Sequence, residues 1–234
     1  MRVLCLHGYT QNAERFRART GPFRRGLKRS LELVYMTAPH AATDFQPQST
    51  EAEPDGPSAA WWNRSGDVWA EIRLSIQSIG KVIREQGPFD GILGFSQGSG
   101  MAAVLLALLQ AARKPEVLRA DAEVAAAVQD LSGCPELRFA FLFAGFYPDL
   151  PQFDRLTRGH KIQIPSLHMV GMTDAIVPRE RGEQLAQQAF ADALLLTHEG
   201  GHFVPCNAAW RKQYQAFIDK LPQETDEASI DKLP

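Results

Sequence analysis

Six short apolar runs recur along the chain, and stretches with a helical pattern separate them. The runs cover residues 3–6, 31–36, 91–95, 139–144, 167–170 and 194–197. Continuous apolar runs of this length are typical of strands that are buried on both faces of a parallel sheet. Their alternation with helical segments predicts an α/β fold, with a mostly parallel, doubly wound sheet flanked by helices. Because ligands bind beyond the carboxyl ends of such strands, the residues that follow each run are candidate site residues.

Two segments interrupt this alternation. Residues 41–60 are rich in proline, serine, threonine and acidic residues, which predicts a long surface excursion. Residues 114–137 are alanine-rich and charged, which predicts a helix packed loosely beside the main body. Either segment could act as a small partial lid. The last residues, 222–234, are acidic and polar, and we expect them to form a flexible tail after a single domain that spans residues 1–221.

Charge narrows the class of protein. The formal net charge of −2 on 234 residues provides no broad basic field, so we expect no nucleic-acid partner. Seven basic residues crowd one early segment, and we interpret them as the solvated face of a helix. They are Arg15, Arg17, Arg19, Arg24, Arg25, Lys28 and Arg29.

The cysteines and the lengths of the apolar runs indicate the cellular compartment in which the protein resides. Cys5, Cys134 and Cys206 are widely spaced and form no CxxC pair, which favours a reducing environment over a disulfide framework or a zinc site. The N-terminal apolar run is too short for a signal peptide, and no apolar stretch reaches the length of a bilayer span. The sequence therefore predicts a cytoplasmic protein without a membrane span.

The candidate nucleophile is Ser96, in a G-x-S-x-G pattern that reads GFSQG at residues 94–98. An apolar strand leads into the pattern and an almost wholly apolar helix, residues 101–112, follows it. A sharp strand-to-helix turn of this kind needs residues without side chains at Gly94 and Gly98, because helix and strand come close together there. The alternative interpretation is a turn softened by glycine in front of a buried helix.

A serine nucleophile needs a base and a residue that orients the base. His202 follows the last apolar run through a glycine-rich loop and is the candidate base, with His198 at the strand end as the fallback. Asp174 follows the preceding run and is the candidate orienting acid. The remaining strand-internal or poorly placed histidines are His168, expected in the core, and His40 and His160. The order Ser96, Asp174, His202 is the chain order of α/β-hydrolases.

The first apolar run ends in LHGYT at residues 6–10. In α/β-hydrolases the corresponding loop supplies an amide of the oxyanion hole, so we expect the backbone N–H groups of Tyr9 and Gln97 to act as donors. The N-terminus of the helix after the serine adds a partial positive charge at the same place. We expect His7 to hold this loop in position.

Aromatic and apolar residues near the predicted strand ends are candidate walls of an acyl pocket. The candidate substrate-binding residues are Trp61, Trp62, Phe146, Tyr147, Val177 and Phe203, and Phe95 lies beside the serine. Ordinary core packing is the alternative for each of them. The two tryptophans could also pin the long excursion to the body of the protein.

Several segments together resemble the FSH family of serine hydrolases, found in fungi and animals. The matching segments are RVLCLHG at 2–8, AWW at 60–62, GPFDGILGFSQG at 87–98, IPSLH at 164–168 and GGHFVP at 200–205. The resemblance spans essentially the whole domain, and it places the family's catalytic serine, aspartate and histidine on Ser96, Asp174 and His202. Members of the family look like carboxylesterases and, in some fungal pathways, thioesterases that release polyketide chains from a carrier.

The sequence thus predicts a serine hydrolase of the α/β-hydrolase fold that cleaves a carboxylic ester or thioester of an apolar acyl chain through an acyl-Ser96 intermediate. We expect no metal and no cofactor. The alternatives are a thioesterase that releases a polyketide or fatty acyl chain from a carrier, and a catalytically silent hydrolase fold that binds a partner. Peptidases and acyltransferases on the same fold leave no reliable mark in a sequence of this kind.

Overall fold

A six-stranded parallel sheet forms the centre of the molecule in the computed structural model, which describes residues 1–43 and 56–222. Its strand order is β2-β1-β5-β6-β7-β8. A separate antiparallel pair joins β3 to β4. The strands are β1 (Arg2–Leu6), β2 (Glu32–Met36), β3 (His40–Ala41), β4 (Ala59–Ala60), β5 (Gly91–Phe95), β6 (Phe139–Phe143), β7 (Ser166–Gly171) and β8 (Ala193–His198).

Helices cover both faces of this sheet. They are α1 (Ala13–Arg19), α2 (Gly21–Gly26), α3 (Val68–Gln86), α4 (Gln97–Ala111), α5 (Pro115–Ala120), α6 (Ala122–Asp130), α7 (Pro151–Thr157), α8 (Arg179–Gln184) and α9 (Ala208–Asp219). A π-helical turn, Leu185–Ala189, continues α8. Each of the six apolar runs corresponds to one strand of the large sheet. The prediction of a parallel, doubly wound α/β sandwich is therefore confirmed.

The core has two halves because successive side chains of a strand point to opposite faces of the sheet. On one face, Leu4 and Leu6 of β1 pack with α3 and α4; on the other, Val3 and Cys5 pack with the aromatic residues of α1, α2 and α9. Helix α4 is buried along almost its whole length because it contacts β5, β1 and β6 on one side and α6 and α7 on the other. That position explains why its sequence is apolar all round.

The segment 114–137 differs from its prediction. It forms two short helices, α5 and α6, and a break at Asp121 separates them. The Asp121 carboxylate caps α6 by accepting from the backbone N–H groups of Glu123 and Val124 at 2.9 and 3.1 Å. Val124 and Ala127 are fully buried against α3 and α4. The prediction of one loosely packed helix was wrong, because an aspartate that caps a new helix ends the first one and the apolar face of α6 belongs to the core.

The long excursion can be followed only at its two ends, residues 41–43 and 56–60. There, His40 and Ala41 pair with Ala60 and Ala59 in the β3–β4 ladder. The middle of the excursion and the tail predicted at 222–234, from residue 223 on, lie outside the described residues. Over the described ranges, the helices include none with both the length and the apolar character that a bilayer crossing requires.

Candidate active site

Ser96 lies on the sharp turn between β5 and α4. Its backbone angles, φ 54° and ψ −119°, fall in a region that residues with a side chain rarely adopt. The turn is held from both sides: the Ser96 N–H donates to the Phe143 carbonyl at 2.9 Å, and the Ser96 carbonyl accepts from Ser99 N–H at 2.9 Å. Backbone strain of this kind is characteristic of a nucleophile elbow.

The two glycines of the pattern are required by close packing. A Cβ at Gly94 would lie 2.5 Å from the Gly98 carbonyl oxygen and from the Ser99 Cα. A Cβ at Gly98 would overlap the backbone carbonyl of Leu6, at the end of β1. Helix α4 therefore starts directly against two strands, and its first N–H groups point to the carboxyl edge of the sheet.

His202 and Asp174 are hydrogen-bonded to each other. The distance between His202 Nδ1 and Asp174 Oδ2 is 2.7 Å, and the Asp174 side chain is 1% exposed. The second oxygen of this carboxylate accepts from the backbone N–H groups of Ile176 and Val177, both at 2.9 Å. Because the carboxylate accepts at Nδ1, the proton of a neutral imidazole sits there and Nε2 is left as the acceptor.

Close backbone packing brings the two loops of this pair together. Met172 and Thr173, which follow β7, donate to the carbonyls of His198 and Gly200 at 2.8 and 3.2 Å. At Gly171, the last residue of β7, a Cβ would lie 2.5 Å from the carbonyl oxygens of Gly200 and Gly201. Gly171 was not predicted from the sequence to be important, although a glycine directly after the apolar run 167–170 was the available signal.

Ser96 and His202 open into one cleft of about 630 Å³. The His202 ring lies 4.8 Å from the ring of Phe95, measured between centroids. The lining residues are Gly8, Tyr9, Thr10, Gln11, Arg15, Ala18, Arg19, Ser58, Phe95, Ser96, Ile176 and His202. A larger groove, of about 1100 Å³, lies elsewhere on the surface, but Ser96 and His202 both line this one.

The loop after β1 forms one wall of the cleft. His7 is fully buried and bridges two loops: its Nδ1 lies 2.7 Å from the Gly8 carbonyl oxygen, and its Nε2 accepts from Ala38 N–H at 3.0 Å. Burial lowers the pKa of His7 to about 4, so the ring is neutral at physiological pH. His7 thus holds the loop, as expected from the sequence. Tyr9, two residues later, lines the cleft.

The Gln97 side chain has a role that sequence reasoning missed. It is buried, its Oε1 accepts from Trp61 N–H at 2.9 Å, and its Nε2 donates to the Trp62 carbonyl at 2.7 Å. Gln97 thus joins the start of α4 to the segment after β4. Its own N–H stands at the first position of the helix, where backbone donors have no partner within the helix.

The predicted pocket residues are spread over several environments, and none of the six lines the cleft at Ser96. Trp61 is fully buried, and its Nε1 donates to the His7 carbonyl at 2.8 Å. Trp62 is also buried, with its ring 6.2 Å from that of Phe146. The two tryptophans anchor the segment after β4 to the core, which was the alternative interpretation of them.

Phe146 packs against Trp62, and the Arg181 guanidinium lies over its ring at 5.1 Å. The last three candidates also make contacts away from Ser96. The Tyr147 hydroxyl donates to Asp154 at 2.8 Å within a separate groove. Val177 is buried and serves Asp174 through its backbone. Phe203 is 49% exposed, and its ring contacts His198 in a groove beside the His202 loop. An apolar residue that does line the cleft, and that was not among the candidates, is Ile176, which is 70% exposed.

The other histidines take structural positions. His198 accepts from the Gly200 N–H at 3.2 Å and shapes the loop that carries His202. His168 is buried within β7 beside Ser166, and burial lowers its pKa to about 3, in agreement with the expected core role. His40 contacts the Glu71 carbonyl at 2.9 Å, and His160 lies 3.3 Å from the Lys114 amine. Within the described ranges, 1–43 and 56–222, no group of three or more potential metal ligands occurs.

The helix face predicted to be solvated was partly misjudged. Arg15 and Arg19, in α1, line the cleft. Arg17, between them, is exposed and does not line it. Helical periodicity indicates which residues share a face, but it does not indicate what the face meets.

A parallel sheet with a strained serine after β5 and an aspartate–histidine pair after β7 and β8 defines a protein of the α/β-hydrolase class. Solved structures support this fold. Acyl-protein thioesterase 2 of Zea mays matches with a TM-score of 0.60 at 15% identity, covering 93% of each chain. Esterase PE8 matches with a TM-score of 0.62 at 19% identity, covering 94% of this chain and 92% of that one.

The family is defined more closely by sequence. The model of the serine hydrolase (FSH1) family matches residues 1–214. Esterase OVCA2 of Danio rerio is 34% identical over 240 residues, which cover 94% of this chain and 97% of that protein. Esterase OVCA2 of Homo sapiens is 34% identical over 244 residues, which cover 95% and 97%. The chain belongs to the FSH1 family and is an enzyme, a serine hydrolase. The resemblance seen in the sequence is confirmed.

Proposed function

We propose that this protein hydrolyses a carboxylic ester or thioester of an apolar acyl chain through an acyl-Ser96 intermediate. Ser96 is the nucleophile, His202 the general base and Asp174 the residue that orients it. The observation that carries the proposal is the 2.7 Å contact between His202 Nδ1 and Asp174 Oδ2, in a cleft that His202 shares with a serine on a strained turn.

The cycle has two halves. Ser96 Oγ attacks the carbonyl carbon while His202 Nε2 takes its proton, and the same nitrogen then protonates the departing alcohol or thiol. A water molecule enters, gives its proton to His202 Nε2 and attacks the acyl-enzyme. The acid is released as the proton returns to Ser96 Oγ. Asp174 holds the proton of the imidazole at Nδ1 throughout, so that Nε2 can accept.

Negative charge develops on the substrate oxygen in both halves. The backbone N–H groups of Tyr9 and Gln97 are the donors that we propose for this oxyanion. The N-terminus of α4 points to the same place and contributes a partial positive charge. The hydrogen bonds of the Gln97 side chain to the backbone of Trp61 and Trp62 support this arrangement, because they fix the start of the helix.

The choice of substrate rests on the lining of the cleft and on relatives. Phe95, Ala18 and Ile176 supply apolar surface beside Ser96, which favours an acyl chain over a sugar. The esterase names of the relatives favour a carboxylic ester. A thioester, or an acyl chain carried by a protein as in the thioesterase with the same fold, is the second candidate. Neither candidate needs a metal or cofactor.

We test the proposal with a fluorophosphonate probe, which forms a covalent bond with an activated serine. The intact protein should be labelled once and should hydrolyse 4-nitrophenyl butyrate, and both properties should be lost in Ser96→Ala. Ser132→Ala is the matched control, because Ser132 is an exposed serine outside the cleft, and it should behave as the intact protein does. A folded protein that is neither labelled nor active would favour a hydrolase fold that binds a partner.

We also place the enzyme in the cytoplasm, with a single domain over residues 1–221. The supporting observation for the compartment is that all three cysteines are free thiols, one buried and two half-buried, as expected in a reducing environment. The supporting observation for the domain is that one continuous sheet, from β2 to β8, organises the described chain.

A further inference from the structure

The cleft at Ser96 carries positive charge on one side. Its described lining includes Arg15 and Arg19 but no aspartate or glutamate. A cleft built only for a neutral acyl chain would have apolar side chains there, because removing water from a charged guanidinium is costly and an acyl chain cannot hydrogen-bond to it. The arginines therefore require an explanation within the hydrolase.

Helix α1 presents three residues to the cleft. Arg15, Ala18 and Arg19 stand three and four positions apart, so they share one face of the helix. Phe16 of the same helix is buried in the core against Phe95, with 5.9 Å between ring centroids. Because Phe95 precedes the nucleophile, this contact fixes the arginine face relative to Ser96.

The two arginines have different surroundings. Arg15 is engaged in holding the wall: it donates to the Thr10 carbonyl at 2.8 Å, to the Ser58 hydroxyl at 3.0 Å and to the Gly56 carbonyl. The Arg19 side chain is exposed, and no hydrogen bond or ion pair joins it to another residue in ranges 1–43 and 56–222. Arg19 thus lines the cleft, and its guanidinium donors have no acceptor in the described part of the chain.

We propose that Arg19 binds an anionic group of the substrate, a carboxylate or phosphate that lies on the same molecule as the scissile ester. The inference rests on the proposed function, and it narrows the substrate to amphiphilic acyl compounds. The apolar part lies along Phe95 and Ile176, and the anion reaches the guanidinium, whose planar fork of donors suits both carboxylate and phosphate. Arg15 is a positioning residue that holds the wall on which Arg19 stands.

A structural role for Arg19 makes a different prediction. Arg19 lies in the last turn of α1, where a cation stabilises the helix dipole. Arg17 lies in the same turn and is also exposed, but it does not line the cleft. Arg17→Gln is therefore the matched control: it removes the same interaction with the helix and leaves the cleft unchanged.

The experiment compares two pairs of esters. In the first pair, 4-nitrophenyl octanoate and the mono-4-nitrophenyl ester of suberic acid differ at the far end of the acyl chain, where the second carries a carboxylate. In the second pair, 4-butyryloxybenzamide and 4-butyryloxybenzoate differ only in a carboxylate on the leaving group. The measured quantity is the ratio of kcat/KM for the anionic ester to kcat/KM for its neutral partner.

We expect Arg19→Gln to lower this ratio about two- to fivefold in at least one pair, as befits one exposed ion pair, and Arg19→Glu to lower it further. The pair that responds identifies whether the anion belongs to the acyl part or the leaving group. The ratio should also fall as salt is raised, and Arg17→Gln should leave it unchanged.

An unchanged ratio in Arg19→Gln for both pairs would overturn the inference. An equal fall in Arg17→Gln would overturn it as well, because it would reveal a diffuse field rather than a contact. Neither result bears on the proposed hydrolase, which would fail if the intact protein did not hydrolyse the neutral esters or if Ser96→Ala retained that activity.

Discussion

Gly171, at the end of β7, is a position where a small change should have a large effect. An alanine there would place its Cβ 2.5 Å from the carbonyl oxygens of Gly200 and Gly201. Both contacts are with backbone, so no side chain can turn away, and the loop that carries His202 must move. Bringing these contacts to 3.0 Å, below which real Cβ atoms essentially do not lie, takes a shift of about half an ångström or more.

We expect Gly171→Ala to lower kcat/KM for 4-nitrophenyl butyrate about ten- to a hundredfold, because a misplacement of this size in a reacting group costs up to about 10²-fold. Forcing extra volume into a packed site should also cost about 1–3 kcal/mol in the free energy of unfolding. The assay is steady-state hydrolysis together with the rate of fluorophosphonate labelling, and thermal unfolding checks that the variant is folded.

Gly201→Ala is the matched control, since it lies across the same interface. A Cβ at Gly201 would meet its nearest atom, the Thr173 carbonyl oxygen, at an ordinary 3.4 Å. We expect less than a threefold change in that variant. Full activity in a folded Gly171→Ala protein would refute the argument that close packing of the two loops sets the position of His202.

Three further predictions concern the acid, the Gln97 amide and the buried histidines. Asp174→Asn should fold, because an amide oxygen can still accept from the loop, but it should lower kcat about 10³- to 10⁴-fold as His202 loses its fixed tautomer; a loss under tenfold would contradict this. Gln97→Ala leaves the Trp61 N–H and the Trp62 carbonyl without partners and should lower the free energy of unfolding, measured by chemical denaturation, by about 2–4 kcal/mol. A loss below about 1 kcal/mol would show that these two hydrogen bonds are dispensable. Burial lowers the pKa of His7 to about 4 and of His168 to about 3, so the unfolded chain takes up protons below about pH 6.5 that the folded chain does not. Stability should therefore be full above that pH and fall between pH 6.5 and about 3, and His168→Gln should flatten the fall; an unchanged slope in that variant would contradict it.

Much of the architecture could be read from the sequence because its signals are local. A strand buried on both faces needs a continuous apolar run, and all six runs became strands of one sheet. Gly94 and Gly98 are required by contacts within a few residues of Ser96 and with β1. Asp174 and His202 follow adjacent parallel strands, so that their side chains meet at the same edge of the sheet.

The lining of the cleft could not be read in the same way. The residue types of the six aromatic and apolar candidates are equally suited to core packing and to contact with a ligand. Trp61, for example, is held in the core by hydrogen bonds to Gln97 and His7. Arg15 and Arg19 looked like a solvated face because the pattern of a helix carries no information about its neighbour. Long-range packing decides both questions.

The most direct test of the account is to identify the covalent intermediate. The enzyme is mixed with excess 4-nitrophenyl butyrate, quenched in acid during turnover, digested and examined by mass spectrometry. We predict a burst of one 4-nitrophenol per chain and a butyryl group on the peptide that contains Ser96, with neither in Ser96→Ala. Steady hydrolysis with no adduct at Ser96, or a burst that survives in Ser96→Ala, would contradict the account.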